Sequence, residues 1–253
     1  MARFLYGIHP ALETLQAAPE QVERALVAQG PAKGPLAQVL AAAKARGVRV
    51  ELVSRDQLAR LAGGGVHQGV VLKVAEFEYA ELDDLIARAT AEGETGLVLV
   101  LDGIEDPHNF GALIRSAFAL GAHGVVIAKD RAVGVTPTVV KASAGAVAHL
   151  PVARVTNLSR ALLDLKDAGM WVTAADLKGD RSPEQIDFKG PTVLVVGSEG
   201  EGIRHGVLEK ADFRARIPMT GPLGSLNASV AGALLLYEVA RQRRAAGAPS
   251  QWA

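Results

Sequence analysis

The sequence predicts an α/β protein, a Rossmann-like parallel sheet preceded by a small α/β domain, and three observations predict it. Leu97-Val-Leu-Val-Leu101, Gly124-Val-Val-Ile-Ala128 and Val193-Leu-Val-Val196 are short, continuously apolar runs, as strands covered on both faces would be. Segments of helical periodicity alternate with them, and a βαβα order builds a parallel sheet. Residues 193–229 hold two strand patterns, each ending in a Gly-rich turn ahead of a helix: Gly197-Ser-Glu-Gly-Glu-Gly202 and Pro218-Met-Thr-Gly-Pro222. Bare backbone at such turns can approach a small molecule closely.

Taken in order, Pro10 stands in the first turn of a helix over 10–15, and 24–28 is a short strand. Leu36, Val39, Leu40 and Ala43 recur at helical spacing, and Gly47 stops that helix. A strand over 48–53, a short helix over 56–61, the loop 62–65 and a strand over 69–74 complete the small domain, residues 1–75. The acidic stretch 76–94 has one amphipathic helix around Leu82, Leu85 and Ile86 and reads as the connection between domains. In the larger domain, 95–245, a helix beginning near Asn109 is expected to bury Phe110, Leu113, Ile114, Ala117 and Phe118, and Gly121 closes it. Helices over 137–144 and 158–168 alternate with strands over 151–155 and 171–175. The last helix opens near Ser225, with Leu226, Val230, Ala233, Leu234 and Tyr237 on one face. Residues 246–253 read as a flexible tail.

Composition narrows the function. At 253 residues, 49% hydrophobic and 21% charged, the chain is an ordinary globular protein of one large or two small domains. A formal net charge of +0 excludes a global basic signature, although a local basic face can hold nucleic acid on a neutral protein. Without cysteine there are no disulfides, no thiol chemistry and no Cys-based zinc sites. No stretch approaches the ~20 apolar residues of a membrane span, so the expectation is a cytoplasmic protein with no membrane partner.

Three clusters could carry chemistry. In Leu101-Asp-Gly-Ile-Glu-Asp-Pro-His-Asn-Phe-Gly-Ala-Leu-Ile-Arg115, Asn109 is a candidate helix cap, and Arg115 lies off the apolar stripe, facing either a cleft or solvent. Gly197-Ser-Glu-Gly-Glu-Gly202 lacks the Gly-x-Gly-x-x-Gly spacing of a dinucleotide loop, and its carboxylates would repel phosphates. That argues against a nicotinamide-dependent oxidoreductase. In Ser225-Leu-Asn-Ala-Ser229, Ser225 can cap the helix, whereas Asn227 and Ser229 are mediocre helix formers better explained by contacts.

Asn109-x-Gly-x-x-x-Arg115, Gly197-Ser-Glu-Gly200 and Ser225-Leu-Asn-x-Ser229 together resemble the three motifs of the SpoU (TrmH) branch of the SPOUT methyltransferases. These enzymes transfer a methyl group from S-adenosylmethionine to a ribose 2′-hydroxyl of RNA. Tyr6-Gly-Ile-His-Pro-Ala-Leu-Glu13 and His67-Gln-Gly69 resemble the substrate-binding domain of the bacterial 23S rRNA guanosine 2′-O-methyltransferase group. The resemblance covers essentially the whole chain. It implies a deep trefoil knot over about residues 192–237 and a homodimer with the site near the interface. It also implies S-adenosylmethionine held at Gly197, Gly200, Ile217, Met219 and Leu226, and no metal, because a sulfonium releases a neutral leaving group.

The catalytic residues that the resemblance implies are Arg115, Asn109, Glu199, Asn227 and Ser225. Arg115 matches the arginine proposed in the family as general base. A guanidinium stays protonated, so binding phosphate and stabilising charge on the 2′-oxygen is the role its chemistry favours. Asn109 and Asn227 would orient Arg115 or the ribose, Glu199 the cofactor loop or Arg115, and Ser225 and Ser229 would donate to substrate. Lys73, Arg131, Lys141, Arg204 and His205 are candidates for phosphate contacts, and His67 and Gln68 for RNA. The expected substrate is a guanosine of 23S rRNA. A tRNA ribose is the alternative target, and a non-catalytic RNA-binding assembly factor the alternative class.

Overall fold

A computed structural model describes residues 3–75, 77–222 and 224–247. The chain forms two compact units, Met1–Glu78 and Tyr79–Ala253.

The first unit runs β1 (Arg3–Tyr6), α1 (Ile8–Ala17), β2 (Val22–Ala28), α2 (Pro35–Ala45), β3 (Val50–Val53), α3 (Arg55–Leu61) and β4 (Val70–Val74). Its sheet has the order β1-β4-β2-β3, with β2 and β3 parallel and β4 antiparallel to both β1 and β2. Period-two alternation explains the apolar run of β2. Ala25 and Val27 face the core with Ala11, Leu15 and Val39 of α1 and α2, while Leu26 and Ala28 face Leu58 of α3. The sequence reading has no strand at β1, whose partner β4 lies about seventy residues away. His67 and Gln68 brace the turn before β4. His67 Nδ1 accepts from Gly69 N at 3.1 Å, and Gln68 Oε1 accepts from Ile8 N at 3.0 Å, with Gln68 in the left-handed region at φ 51°.

The second unit runs α4 (Leu82–Ala89), β5 (Leu97–Asp102), α5 (Pro107–Ala119), β6 (Gly124–Ala128), α6 (Pro137–Ala142), β7 (Val152–Val155), α7 (Leu158–Asp167), β8 (Trp171–Ala175), β9 (Thr192–Gly197), α8 (His205–Leu208), β10 (Phe213–Ala215) and α9 (Ala228–Ala245). All six strands are parallel, in the order β10-β8-β9-β5-β6-β7. From β5 the chain builds outward to β6 and β7, then returns on the other side as β8, with β9 inserted between. That reversal puts a crevice at the carboxyl ends of β5 and β9, where open parallel sheets bind ligands. Helix α4 belongs to this unit: within the stretch expected as a connection, Leu85 and Ala89 are buried with Val98 and Val126. No helix among the described residues is long and apolar enough to cross a membrane.

Val230, Leu234 and Tyr237, expected on one face of the last helix, do share a face of α9, and it is the exposed one. Leu235, Leu236 and Val239 are buried, whereas Val230, Leu234 and Tyr237 are 46%, 44% and 51% exposed. Two apolar stripes lie on this helix, and the buried one was masked by the polar residues Glu238 and Gln242 beside it. Gln242 is satisfied by Phe188 N and Ile186 O, and Glu238 by Arg241 and Gln242. Those bonds, Arg241's foremost, hold the Glu238 carboxyl below its usual range. Gly232 lets α9 close on α5, since a Cβ there would stand 2.4 Å from Leu113 Cδ2. Phe118, expected in the core, is 45% exposed and stacks on His149 at 5.6 Å between ring centroids. Of the expected tail, residues 248–253 lie outside the described residues.

Arg243 lies in the last turn of α9, and its guanidinium turns inward. It donates to Thr95 O at 2.7 Å, Gly96 O at 2.9 Å, Gly190 O at 3.0 Å and Phe188 O at 3.1 Å. Burial lowers its pKa to about 10, so it stays charged at neutral pH. Arg243→Met keeps the stem and removes every donor. The carbonyls left bare are expected to cost about 3 kcal/mol, seen as a melting temperature lower by roughly 6–12 °C.

Candidate active site

The site is assembled at the carboxyl ends of β5 and β9. Helix α5 begins at Asp106-Pro107, not at Asn109. The Asp106 carboxylate caps it by accepting from His108 N at 3.1 Å and Asn109 N at 3.3 Å, with Pro107 in the first turn. Asn109 therefore stands one turn inside the helix with its side-chain amide free for other work. Helix α9 is likewise capped by Asn227 rather than Ser225. Asn227 Oδ1 accepts from Ser229 N at 2.9 Å, Ser229 Oγ at 2.6 Å and Val230 N at 3.3 Å. This cap fixes the amide's orientation, so Asn227 Nδ2 must point the other way, toward the strand ends.

The two amides converge on Glu199. Asn109 Nδ2 donates to Glu199 Oε1 at 2.9 Å, Asn227 Nδ2 donates to the same oxygen and to Asn109 Oδ1 at 2.9 Å, and Ala228 N reaches Glu199 Oε1 at 3.3 Å. Oxygen Oε1 thus takes three donors, while Oε2 has no hydrogen-bond partner among the described residues. Glu199 is held on the loop between β9 and α8. The loop can fold back tightly because position 197 is glycine: a Cβ there would lie 2.2 Å from the Gly202 carbonyl carbon. Gly200, at φ 93°, makes the turn at the tip.

This loop separates two clefts. One, of about 590 Å³, is lined by Gly197, Gly200, Ile217, Met219, Ser225 and Leu226, with Val196, Ile203 and Leu208 adding apolar wall. The other, of about 360 Å³, is lined by Asn109, Asp102, Glu105, Asp106, Arg131 and Arg204. Ser198, Glu199, Glu201 and Gly202 line both. Asn109, Glu199 and Asn227 are thus in one network, and Ser225 lies in the first cleft with the expected cofactor residues. Arg115 stands apart: exposed, lining neither cleft, and without an ion pair or hydrogen bond from its guanidinium among the described residues.

The candidate phosphate contacts divide. Arg204 is taken up by the buried carboxylate of Asp102, Lys73 pairs with Glu23, and His205 Nδ1 lies 3.7 Å from Glu209. Arg131 and Lys141 have no such partner among the described residues. The sequence reading missed Asp102 and Asp106 as working residues, although Asp106-Pro107 is a helix-start signature.

Residues 96–237 match the SpoU rRNA Methylase family, and residues 4–80 match RNA 2′-O ribose methyltransferase substrate binding. A Bacillus subtilis protein placed in the TrmH family of tRNA/rRNA methyltransferases is 46% identical over 244 residues, covering 96% of this chain and 97% of its own. The 23S rRNA (guanosine-2′-O-)-methyltransferase RlmB of Coxiella burnetii is 42% identical, covering 95% and 96%. Among solved structures, the SpoU methyltransferase AviRb of Streptomyces viridochromogenes, in complex with the cofactor AdoMet, aligns at TM-score 0.63 and 28% identity, covering 96% of this chain and 90% of its own. With its amide–carboxylate network between two clefts and these matches along both units, the chain belongs to the SpoU rRNA methylase family.

Proposed function

We propose that this chain transfers a methyl group from S-adenosylmethionine to a guanosine 2′-hydroxyl of 23S rRNA. The observation that carries the reading is Glu199, bound through one oxygen by Asn109, Asn227 and Ala228 at the wall between the two clefts. The likeness to RlmB of Coxiella burnetii over nearly the whole chain supports the guanosine target.

The 590 Å³ cleft fits a nucleoside-bearing cofactor: apolar walls at Ile217, Met219 and Leu226 suit an adenine, and bare backbone at Gly197 and Gly200 can approach it. Bound there, S-adenosylmethionine supplies an electrophilic methyl group on a sulfonium. The carboxylates of Glu199 and Glu201 face the same cleft and favour that cation. The open Oε2 of Glu199 accepts a hydrogen bond from the ribose 2′-hydroxyl, orients its lone pair toward the methyl and takes up the hydroxyl proton as the 2′-oxygen is methylated. Arg115 binds substrate phosphate and stabilises negative charge developing on the 2′-oxygen. Leu226→Asp, which puts a charge on the apolar wall, is expected to weaken S-adenosylmethionine binding at least about tenfold by calorimetry; unchanged affinity would place the cofactor elsewhere.

The proposal extends to a homodimer. Helices α5 and α9 pack together, and each leaves apolar residues exposed: Phe118 on one, Val230, Leu234 and Tyr237 on the other. Arg115 is one helical turn from Phe118, so a partner covering that face comes alongside Arg115. Leu234→Glu should shift the species seen by sedimentation from dimer to monomer. The first unit, about residues 1–75, holds RNA in this reading, so substitutions there raise KM for RNA and leave cofactor affinity unchanged. A knot over 192–237 belongs to the same proposal, and an experimental chain trace running unthreaded there removes it.

The deciding experiment is transfer of labelled methyl from S-adenosylmethionine to unmodified 23S rRNA and, separately, to unmodified tRNA. Label mapped to one guanosine ribose of the rRNA supports the proposal. Label in tRNA alone moves the target, and label in neither, with cofactor bound, favours a non-catalytic role.

A further inference from the structure

We infer that Asp102 and Arg204 form a positioning pair that holds Glu199 at the reacting ribose; the inference rests on the function proposed above. Asp102 is the last residue of β5 and is fully buried. A buried carboxylate is tolerated only when its oxygens are matched by donors. Here both are: Arg204 N donates to Oδ2 at 2.8 Å, Arg204 Nε to Oδ1 at 2.7 Å, and Arg204 Nη2 lies 2.6 Å from Oδ1. Side chain and backbone of one residue therefore close on one carboxylate.

What this closure controls is the loop that carries Glu199. The loop leaves β9 at Gly197, which is in register with Asp102 across the sheet, and comes back to Asp102 at Arg204. Both ends of an eight-residue excursion are thus fixed to the same strand end. Within it, Ser198 and Gly202 exchange two backbone hydrogen bonds of 3.0 and 3.2 Å, which leaves Glu199, Gly200 and Glu201 as a short exposed tip. A tip on a loose loop would sweep the carboxylate of Glu199 over a range of positions. A misplacement of about 1 Å is enough to cost ~100-fold in rate. Arginine suits the task because its planar fork fixes direction as well as charge. The same bonds commit Nε and Nη2 of Arg204, a cation beside the clefts, to Asp102.

The test is a double-mutant cycle on the full chain with the RNA that the wild type methylates. Asp102→Asn should lower kcat about 30-fold and leave KM for RNA and cofactor affinity within about twofold. In a Glu199→Gln background, where the open Oε2 is already exchanged for an amide, the same change should cost less than about twofold, because both act through one group. A merely structural role lowers kcat by the same factor in both backgrounds, and that result overturns the inference. So does full kcat in folded Asp102→Asn. If Asp102→Asn does not fold, Arg204→Lys takes its place in the cycle, keeping the cation and losing the fork, with the same two outcomes. A wild type that methylates no RNA defeats the underlying reading itself and is seen before any variant is made.

Discussion

Arg115→Ala is expected to lower kcat by at least about 100-fold, the scale of losing one charge-stabilising donor at a reacting oxygen, while S-adenosylmethionine binds as before. The structure separates the two readouts. Arg115 lines neither cleft, so the cofactor walls stay intact, and its guanidinium has no partner among the described residues to leave stranded. Stability should therefore move by less than about 0.5 kcal/mol, as for other exposed substitutions. Arg115→Lys should recover only part of the rate, because an ammonium keeps charge but not the fork that reads phosphate. Normal turnover by the alanine variant, measured with labelled cofactor, would remove Arg115 from the chemistry.

Glu199→Gln addresses the other half of the site. A glutamine in the same pose keeps one oxygen to accept from Asn109, Asn227 and Ala228, and exchanges only the open Oε2 for an amide. The network and the caps survive in outline. What is lost, in the function proposed above, is the acceptor for the ribose hydroxyl and the negative charge beside the sulfonium. The expected result is a fall in kcat of about 100-fold, within the range of a positioned acid–base group, and a smaller loss of cofactor affinity. If single-turnover rates match the wild type, the open oxygen takes no part in the reaction and Glu199 is only a strut.

The sequence reading reached the parallel sheet because β5, β6 and β9 are buried on both faces, and continuous apolar runs record that directly. It reached Asn109, Glu199 and Asn227 through spaced motifs and placed them on loops and helix starts, as observed. It misplaced both caps for one reason: Asn109 and Ser225 look like caps locally, but Asp106 precedes a proline and Asn227 precedes the first helical residue. Local propensity does not choose between two candidates three or fewer residues apart. It found the exposed apolar face of α9 and not the buried one, because hydrophobicity alone cannot see that Glu238 and Gln242 satisfy each other and the carbonyl of Ile186. Asp102 and Arg204, 102 residues apart in the chain, left no local signal at all.

The inward turn of Arg243 also bears on how the protein comes into being. Its donors reach Thr95 and Gly96 at the start of β5, 148 and 147 residues earlier in the chain. During synthesis the first strand of the second unit therefore emerges long before the helix that secures its start. Until then that edge waits with polar backbone exposed, and a parallel sheet built from such distant pairings closes slowly. The interval between making β5 and making α9 is when this chain is most open to capture by chaperones or by its own neighbours. A substitution that weakens α9 would lengthen that interval as well as lower the final stability.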